Sequence, residues 1–296
     1  MNRRIHTFAA LAATTVLLGP GAVIASASEK VDPIEEFALH RIGPEMKIGP
    51  IDMSINKAVI YLWIAAAICC IWTYVISRRM TVKPSSRQTF TEVVYEFAHD
   101  SIARATLGEK MFARYMPLVA CLFMFLWVLN IISFFPLPLG HEKMIFGIPA
   151  FTLYAAASNI NVTLALALVV FLLTHYEGVR NNGPIGYLKS WAPSGIDGFK
   201  RFILVPVIWC LHALSEMLRL VSLSVRLFAN MLAGHLLILM MLSLIIIIGS
   251  ALVAIGSVPI ALFFYMFEFG LVASLQAFIF AMLTGIYLGT AADPHH

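Results

Sequence analysis

Residues 202–250 read FILVPVIWCLHALSEMLRLVSLSVRLFANMLAGHLLILMMLSLIIIIGS. These 49 residues carry three charges, Glu216, Arg219 and Arg226, with Pro206 near the start and Gly234 and Gly249 toward the end. A run of about 18 apolar residues is enough for a helix to cross a bilayer, and this one is more than twice that. As a single helix it would reach roughly 70 Å at about 1.5 Å per residue. The hydrocarbon core is only about 30 Å thick. Such a helix must tilt strongly or break into a re-entrant pair. A strongly tilted helix presents a long side surface to a neighbour at mid-membrane.

The rest of the 296 residues extends this reading. The chain is 60% hydrophobic and 12% charged, whereas a soluble domain is about 45–50% apolar and about 25% charged. A soluble globular enzyme is excluded, and so is disorder, which needs low hydrophobicity and high charge. The net charge of +4 is too small, and too close to the membrane flanks, for nucleic-acid binding. A membrane β-barrel needs alternating segments of about 10 residues; here the apolar runs are continuous. The expected fold is an all-α polytopic membrane protein. It has about five membrane-embedded helices and one amphipathic surface helix, and the last two embedded helices are long and strongly tilted.

Residues 1–27 read as a signal peptide: Arg3 and Arg4, an apolar stretch from Phe8 to Leu18, and Ala25-Ser26-Ala27 in small-x-small form. Gly19-Pro20-Gly21 interrupts the run and argues against an uncleaved first span. An outer polar segment, 28–56, follows. Residues 57–114 hold the first membrane helix, Lys57–Ser77, and an amphipathic surface helix, Phe90–Phe112, too polar to span. Residues 115–176 read as a helical hairpin with spans at Tyr115–Pro136 and Asn159–Tyr176. Then come a cytoplasmic loop at 177–201, the two long helices in 202–290, broken near Gly249 and Gly256-Ser257, and a tail at 291–296. Arg78, Arg79, Lys83 and Arg87 follow the first span, and Arg180, Lys189, Lys200 and Arg201 follow the third. Positive residues mark the cytoplasmic side, so the mature N-terminus lies outside and the C-terminus inside. Cys69, Cys70, Cys121 and Cys210 lie in apolar runs, as small hydrophobes do. No metal-ligand spacing appears, and no cofactor or nucleic-acid partner is expected.

Intramembrane charge carries the functional signal. From Phe202 to Thr290 there are 89 residues and four charges: Glu216, Arg219, Arg226 and Glu268. An Arg or Asp at a helix centre costs about 2.5–3.5 kcal/mol on translocon scales. His212, Ser215, Arg219, Ser222, Arg226 and Asn230 recur at helical spacing and form a polar stripe. Glu216 stands three residues before Arg219 and can pair with it, but Arg226 has no acidic residue at i±3 or i±4. His235 lies nine residues on, about 900° at 100° per residue, half a turn from the Arg face. That placement points to a separate aqueous path. Glu268 is the only carboxylate in the final long stretch, and Gln276 follows it by eight residues. His and Glu are usual members of intramembrane proton relays.

The string Ser222-Leu-Ser-Val-Arg226-Leu-Phe-Ala-Asn230-Met-Leu-Ala-Gly-His235 resembles the Arg-bearing helix of subunit a of F-type ATP synthases. Glu268-Phe-Gly-Leu-Val-Ala-Ser-Leu-Gln276-Ala-Phe-Ile-Phe resembles that family's last helix. Asn159-Ile-Asn161-Val-Thr-Leu is similar to the start of its fourth. The resemblance covers roughly residues 30–290, including element order. It implies that Arg226 faces the carboxylates of a rotating c-ring. It makes His235 and Glu268 the polar pair of an aqueous half-channel, in the order found in mitochondrial members, with Asn230 and Gln276 as polar neighbours. Arg219 stands where other members carry Lys, and His212 where some carry an acid. The implied partners are c-ring subunits, peripheral-stalk subunit b, the remaining F1Fo complex, protons and membrane lipid. The implied location is the bacterial inner membrane.

Two other classes fit less well. A self-contained transporter calls for internal repeats, and none is evident. A membrane enzyme calls for a motif such as H-E-x-x-H, G-x-S-x-G or a phosphate loop, and none is present. The chain therefore does not make or hydrolyse ATP alone.

Overall fold

The computed structural model describes residues 47–48, 51–52, 56–135, 144–145, 148–149, 154–191 and 200–292. The expected signal peptide, almost all of the outer segment and most of the tail lie outside these residues. Helix α1 is Lys57–Arg78, and α2 is Ser86–Glu96, which runs through a π-helical turn, Phe97–Ala103, to Thr106. Helix α3 is Glu109–Ile132, α4 is Ile160–Asn182 and α5 is Pro184–Ser190. Helix α6 is Lys200–Ile248 and α7 is Ala251–Phe267; a second π-helical turn, Glu268–Val272, leads to α8, Ala273–Ala292. Among the described residues, five segments are long and apolar enough to cross a membrane: α1, α3, α4, α6, and α7 with α8. Two antiparallel pairs of two-residue strands, β1 (Lys47–Ile48) with β2 (Ile51–Asp52) and β3 (Met144–Ile145) with β4 (Ile148–Pro149), are the described extended elements.

Several boundaries differ from the sequence reading, each for a local reason. The amphipathic helix starts at Ser86 and stops at Thr106. Leu107 is extended and Gly108 caps the next helix, so Glu109–Phe112 opens α3 instead of closing the surface helix. Glu109 sits in that first turn, where a negative charge suits the helix dipole. Helix α4 is capped by Asn159, whose side chain accepts the Asn161 N–H at 2.9 Å. It continues six residues past Tyr176, to Asn182, because nothing before Gly183 (φ +71°) interrupts it. Part of the expected loop is thus helical, and α5 occupies more of it. Helix α6 is unbroken, which removes the re-entrant alternative. The turn after it falls at Gly249 (φ +63°) alone. That left-handed conformation suits glycine, and Gly256-Ser257 lies inside α7.

The chain divides into two compact units. One comprises the described residues Ala233–Glu268; the other comprises the described residues up to Leu232 together with Phe269–Ala292. In the larger unit, α8 packs along α3 and α4, and α1 packs on α3. Ala273, Ala277, Ala281, Gly285 and Gly289 recur every fourth residue of α8. Small residues at this period let helices approach closely in lipid. Asn130 Nδ2 donates to the Ala273 carbonyl at 3.2 Å and Trp127 Nε1 donates to Ser274 Oγ at 2.9 Å, fixing the register of α3 on α8. At the other end of the stripe Thr106 fills the space that Cβ atoms on Gly285 and Gly289 would need, and at Gly289 the obstacle is the Thr106 backbone carbonyl at 2.6 Å. The amphipathic segment is thereby seated on the last helix. Overpacking a tight core costs about 1–3 kcal/mol, so Gly289→Val should lower the thermal midpoint of the purified, detergent-solubilised protein. An unchanged midpoint would show that the segment is not locked there.

Candidate functional site

In the larger unit, α6 turns two different faces to its surroundings. Leu223, Ser224, Leu227 and Met231 are buried, and Ser224 shares a hydrogen bond with Thr163 of α4 at 3.2 Å. Ser215, Ser222, Arg226, Ala229 and Asn230 are exposed. The expected polar stripe therefore divides. Glu216 is buried, and the flexible side chains on either side of it turn inward. Arg219 Nη1 donates to Glu216 Oε1 at 2.8 Å, and His212 Nε2 lies 3.6 Å from the same oxygen. The single carboxylate on this helix thus neutralises Arg219 and leaves Arg226 alone. Among the described residues the arginines in ion pairs are Arg104, Arg114, Arg180 and Arg219.

The Glu216–Arg219 pair lines a cavity of about 220 Å³ with His212, Tyr187, Trp191 and Tyr287. That is room for several waters. Arg219 stacks over the Tyr287 ring at 5.2 Å, and Trp191 packs on His212 at 5.0 Å. These aromatics hold the polar groups toward the cavity. Burial, reinforced by the Glu216 charge, pushes the Tyr187 phenol above its ordinary pKa. Tyr187 is therefore a neutral hydrogen-bonding group at working pH. Tyr187, Trp191 and Tyr287 were not identified from sequence, because a lone aromatic near a span is indistinguishable from core packing. Gln276 is buried on α8, and no hydrogen bond or ion pair joins it to Arg226 or Asn230 among the described residues.

The smaller unit holds the second polar group. His235 and Glu268 are 4% and 3% exposed, and His235 Nδ1 lies 3.2 Å from Glu268 Oε1. The two side chains stand 33 positions apart in the chain and are brought together by the turn at Gly249. Burying a charge without a partner is costly, and removing one member of a buried ion pair costs about 3–5 kcal/mol. The pair can hold one proton on either side, as imidazolium with carboxylate or as imidazole with carboxylic acid. Glu268 opens a π-helical turn, a feature that recurs at functional sites. Its Oε2 is buried and has no hydrogen-bond partner among the described residues. A cluster that could hold a metal ion is absent among the described residues.

Gly234 makes this pair possible. A Cβ at that position would occupy the space of the Glu268 carboxylate, its nearest three neighbours all being carboxylate atoms. The glycine stands beside His235 in the quoted string, yet sequence gave it no role, since only the approach of α7 reveals the need for space. Gly234→Ala should push the carboxylate away from His235 and lower the thermal midpoint of the purified protein, since overpacking costs about 1–3 kcal/mol. An unchanged midpoint in that variant would separate Gly234 from the pair.

Comparison with known proteins shows the family. The family model described as ATP synthase A chain matches residues 59–289. The chain is 40% identical over 246 residues to ATP synthase subunit a of Rubrobacter xylanophilus, covering 83% of this chain and 87% of that one. It is 32% identical over 271 residues to ATP synthase subunit a of Maricaulis maris, covering 90% and 98%. It is 35% identical over 262 residues to the longer ATP synthase subunit a of Anaeromyxobacter dehalogenans, covering 86% of this chain and 62% of that relative. With intramembrane polar groups of the expected kinds in place and the match running through nearly every described helix, the chain belongs to the ATP synthase A chain family.

Proposed function

We propose that this chain forms two aqueous proton half-channels against the rotating c-ring of an F-type ATP synthase, with Arg226 at the contact. Family membership makes it a membrane component with the stator role in proton translocation, not catalytic alone. The observation that carries the finer reading is Arg226 itself. It is an exposed arginine on a helix apolar enough to cross a membrane, and no carboxylate among the described residues pairs with it. Ala229 is a small neighbour on the exposed side, and small residues allow another helix to come close. The arrangement fits a carboxylate supplied from outside the chain.

The physics follows from that contact. A ring carboxylate has to be neutral in lipid and charged when it meets water. A cation within about 4–6 Å favours its ionised form, and two charges 4 Å apart attract by about 4 kcal/mol at an effective dielectric of 20. That is enough to promote proton release and weak enough to let the ring move on. Arginine keeps its own proton at working pH, so it also blocks a direct leak between the two polar groups. The cavity around Glu216, Arg219 and His212 would serve one half-channel, and the His235–Glu268 pair the other; Arg226 lies between them in sequence. Ser222, Asn230 and Gln276 would be polar neighbours of the ring contact.

The chain's basic flanks support a bacterial inner-membrane location with the C-terminus in the cytoplasm. Helix α1 exposes Trp63, Ile71 and Tyr74, an apolar side suited to the membrane helix of a peripheral-stalk subunit b. A membrane potential adds about 2.3 kcal/mol per charge per 100 mV, so offset half-channels convert it into rotation.

Arg226→Ala should abolish ATP-driven proton pumping in inverted vesicles while the complex still assembles; normal pumping would overturn the proposal. His235→Ala and Glu268→Ala should each slow passive proton flow without preventing assembly. If neither changes the flow, the pair lies off the proton path.

A further inference from the structure

Outside the polar groups already described, a third buried carboxylate stands near the end of α4, within reach of the start of α3. Glu177 is fully buried, and both Arg114 Nη2 and Arg180 Nη1 lie 3.5 Å from its Oε1. Asn181 Nδ2 reaches its other oxygen at 3.5 Å. Arg114 stands in the first turns of one spanning segment and Arg180 in the last turn of another, so both lie at the same kind of boundary, the end of an apolar run. Their side chains are 47% and 46% exposed. One carboxylate shared by two guanidinium groups leaves a net charge of +1 at this edge. The two nitrogens that face Glu177 can be no farther apart than twice 3.5 Å. Charge-assisted hydrogen bonds of about 2.8 Å to neighbouring oxygens of one phosphate can bridge such a gap. Arg114 also lies over the Tyr115 ring at 5.4 Å, which fixes its direction.

We propose that Arg114 and Arg180, spaced by Glu177, bind the phosphate of an anionic phospholipid headgroup. An interhelical clamp alone would be served by one arginine; the second adds a charge that the protein does not neutralise within this cluster. Basic groups at the membrane edge between helices have the chemistry for such headgroups. The cluster shares no residue with Arg226, His235 or Glu268 and does not depend on the half-channel reading.

The test is the association of spin-labelled phosphatidylglycerol, relative to spin-labelled phosphatidylcholine, with the purified whole complex in phosphatidylcholine membranes. Removing one arginine should weaken the selective component about fivefold, the contribution of one basic residue near a lipid surface. Arg180→Gln is the first variant, since its side chain is half exposed at a helix end, and the Arg114→Gln/Arg180→Gln pair should reduce the component further. Glu177→Gln keeps both cations and should preserve or strengthen the lipid selectivity. A simple clamp predicts that it behaves like the arginine variants. Unchanged selectivity in Arg180→Gln, or equal loss in Glu177→Gln, would overturn the proposal. Displacement of the label by inorganic phosphate would assign the site to a free anion and overturn its lipid source; no displacement supports the headgroup.

Discussion

The architecture rests on the cost of an unneutralised charge in hydrocarbon. A soluble protein solvates an arginine with water, but a membrane helix must find another partner or a wet cavity. In this chain the carboxylates of the apolar region are already committed. Glu216 holds Arg219 at 2.8 Å, and Glu268 sits beside His235 at 3.2 Å. Arg226 is left on an exposed side of α6. The rest of the fold can be read as a frame for that imbalance. A stripe of alanine and glycine on α8 lets α3 and the amphipathic segment pack tightly, while α6 keeps one side uncovered.

The same constraint explains why the two other polar groups differ in character. The group around Glu216 opens into a cavity of about 220 Å³ and is walled by aromatic rings. Water can reach it, so an ion pair there is only partly desolvated. The His235–Glu268 pair is almost fully buried and leaves one carboxylate oxygen without a hydrogen bond among the described residues. A group in that setting is sensitive to small displacements, which is why the missing Cβ of Gly234 matters. The aqueous group has tolerance in its geometry; the buried one has little.

Much of this was legible in the sequence because lipid makes the rules strict. Length and hydropathy located the five spanning segments found among the described residues, and the spacing of Glu216 and Arg219 foretold their ion pair. The cation left without a local partner was visible as well. What escaped depended on tertiary approach. The end of the surface helix at Thr106 is set by the extended Leu107 and the capping Gly108, a local signal outweighed in reading by the amphipathic pattern around it. The turn after α6 needed one glycine, and Gly249 and Gly256 were equivalent on paper. The polar stripe read as one surface, whereas the flexible Arg219 and His212 side chains lean toward Glu216. Glu177 was passed over because a carboxylate at the end of a span reads as part of a solvated loop, and only its burial between two arginines shows otherwise.

The proposed partner of Arg226 is a carboxylate of another subunit. That proposal is tested most directly by a structure of the whole membrane complex in lipid, measuring the distance from the Arg226 guanidinium to the nearest c-ring carboxylate. One ring carboxylate is expected within about 4–6 Å of it, the range over which a cation shifts a carboxyl's ionisation. An Arg226 turned to lipid, or paired with a carboxylate of its own chain while the ring carboxylates stay distant, would contradict the proposal.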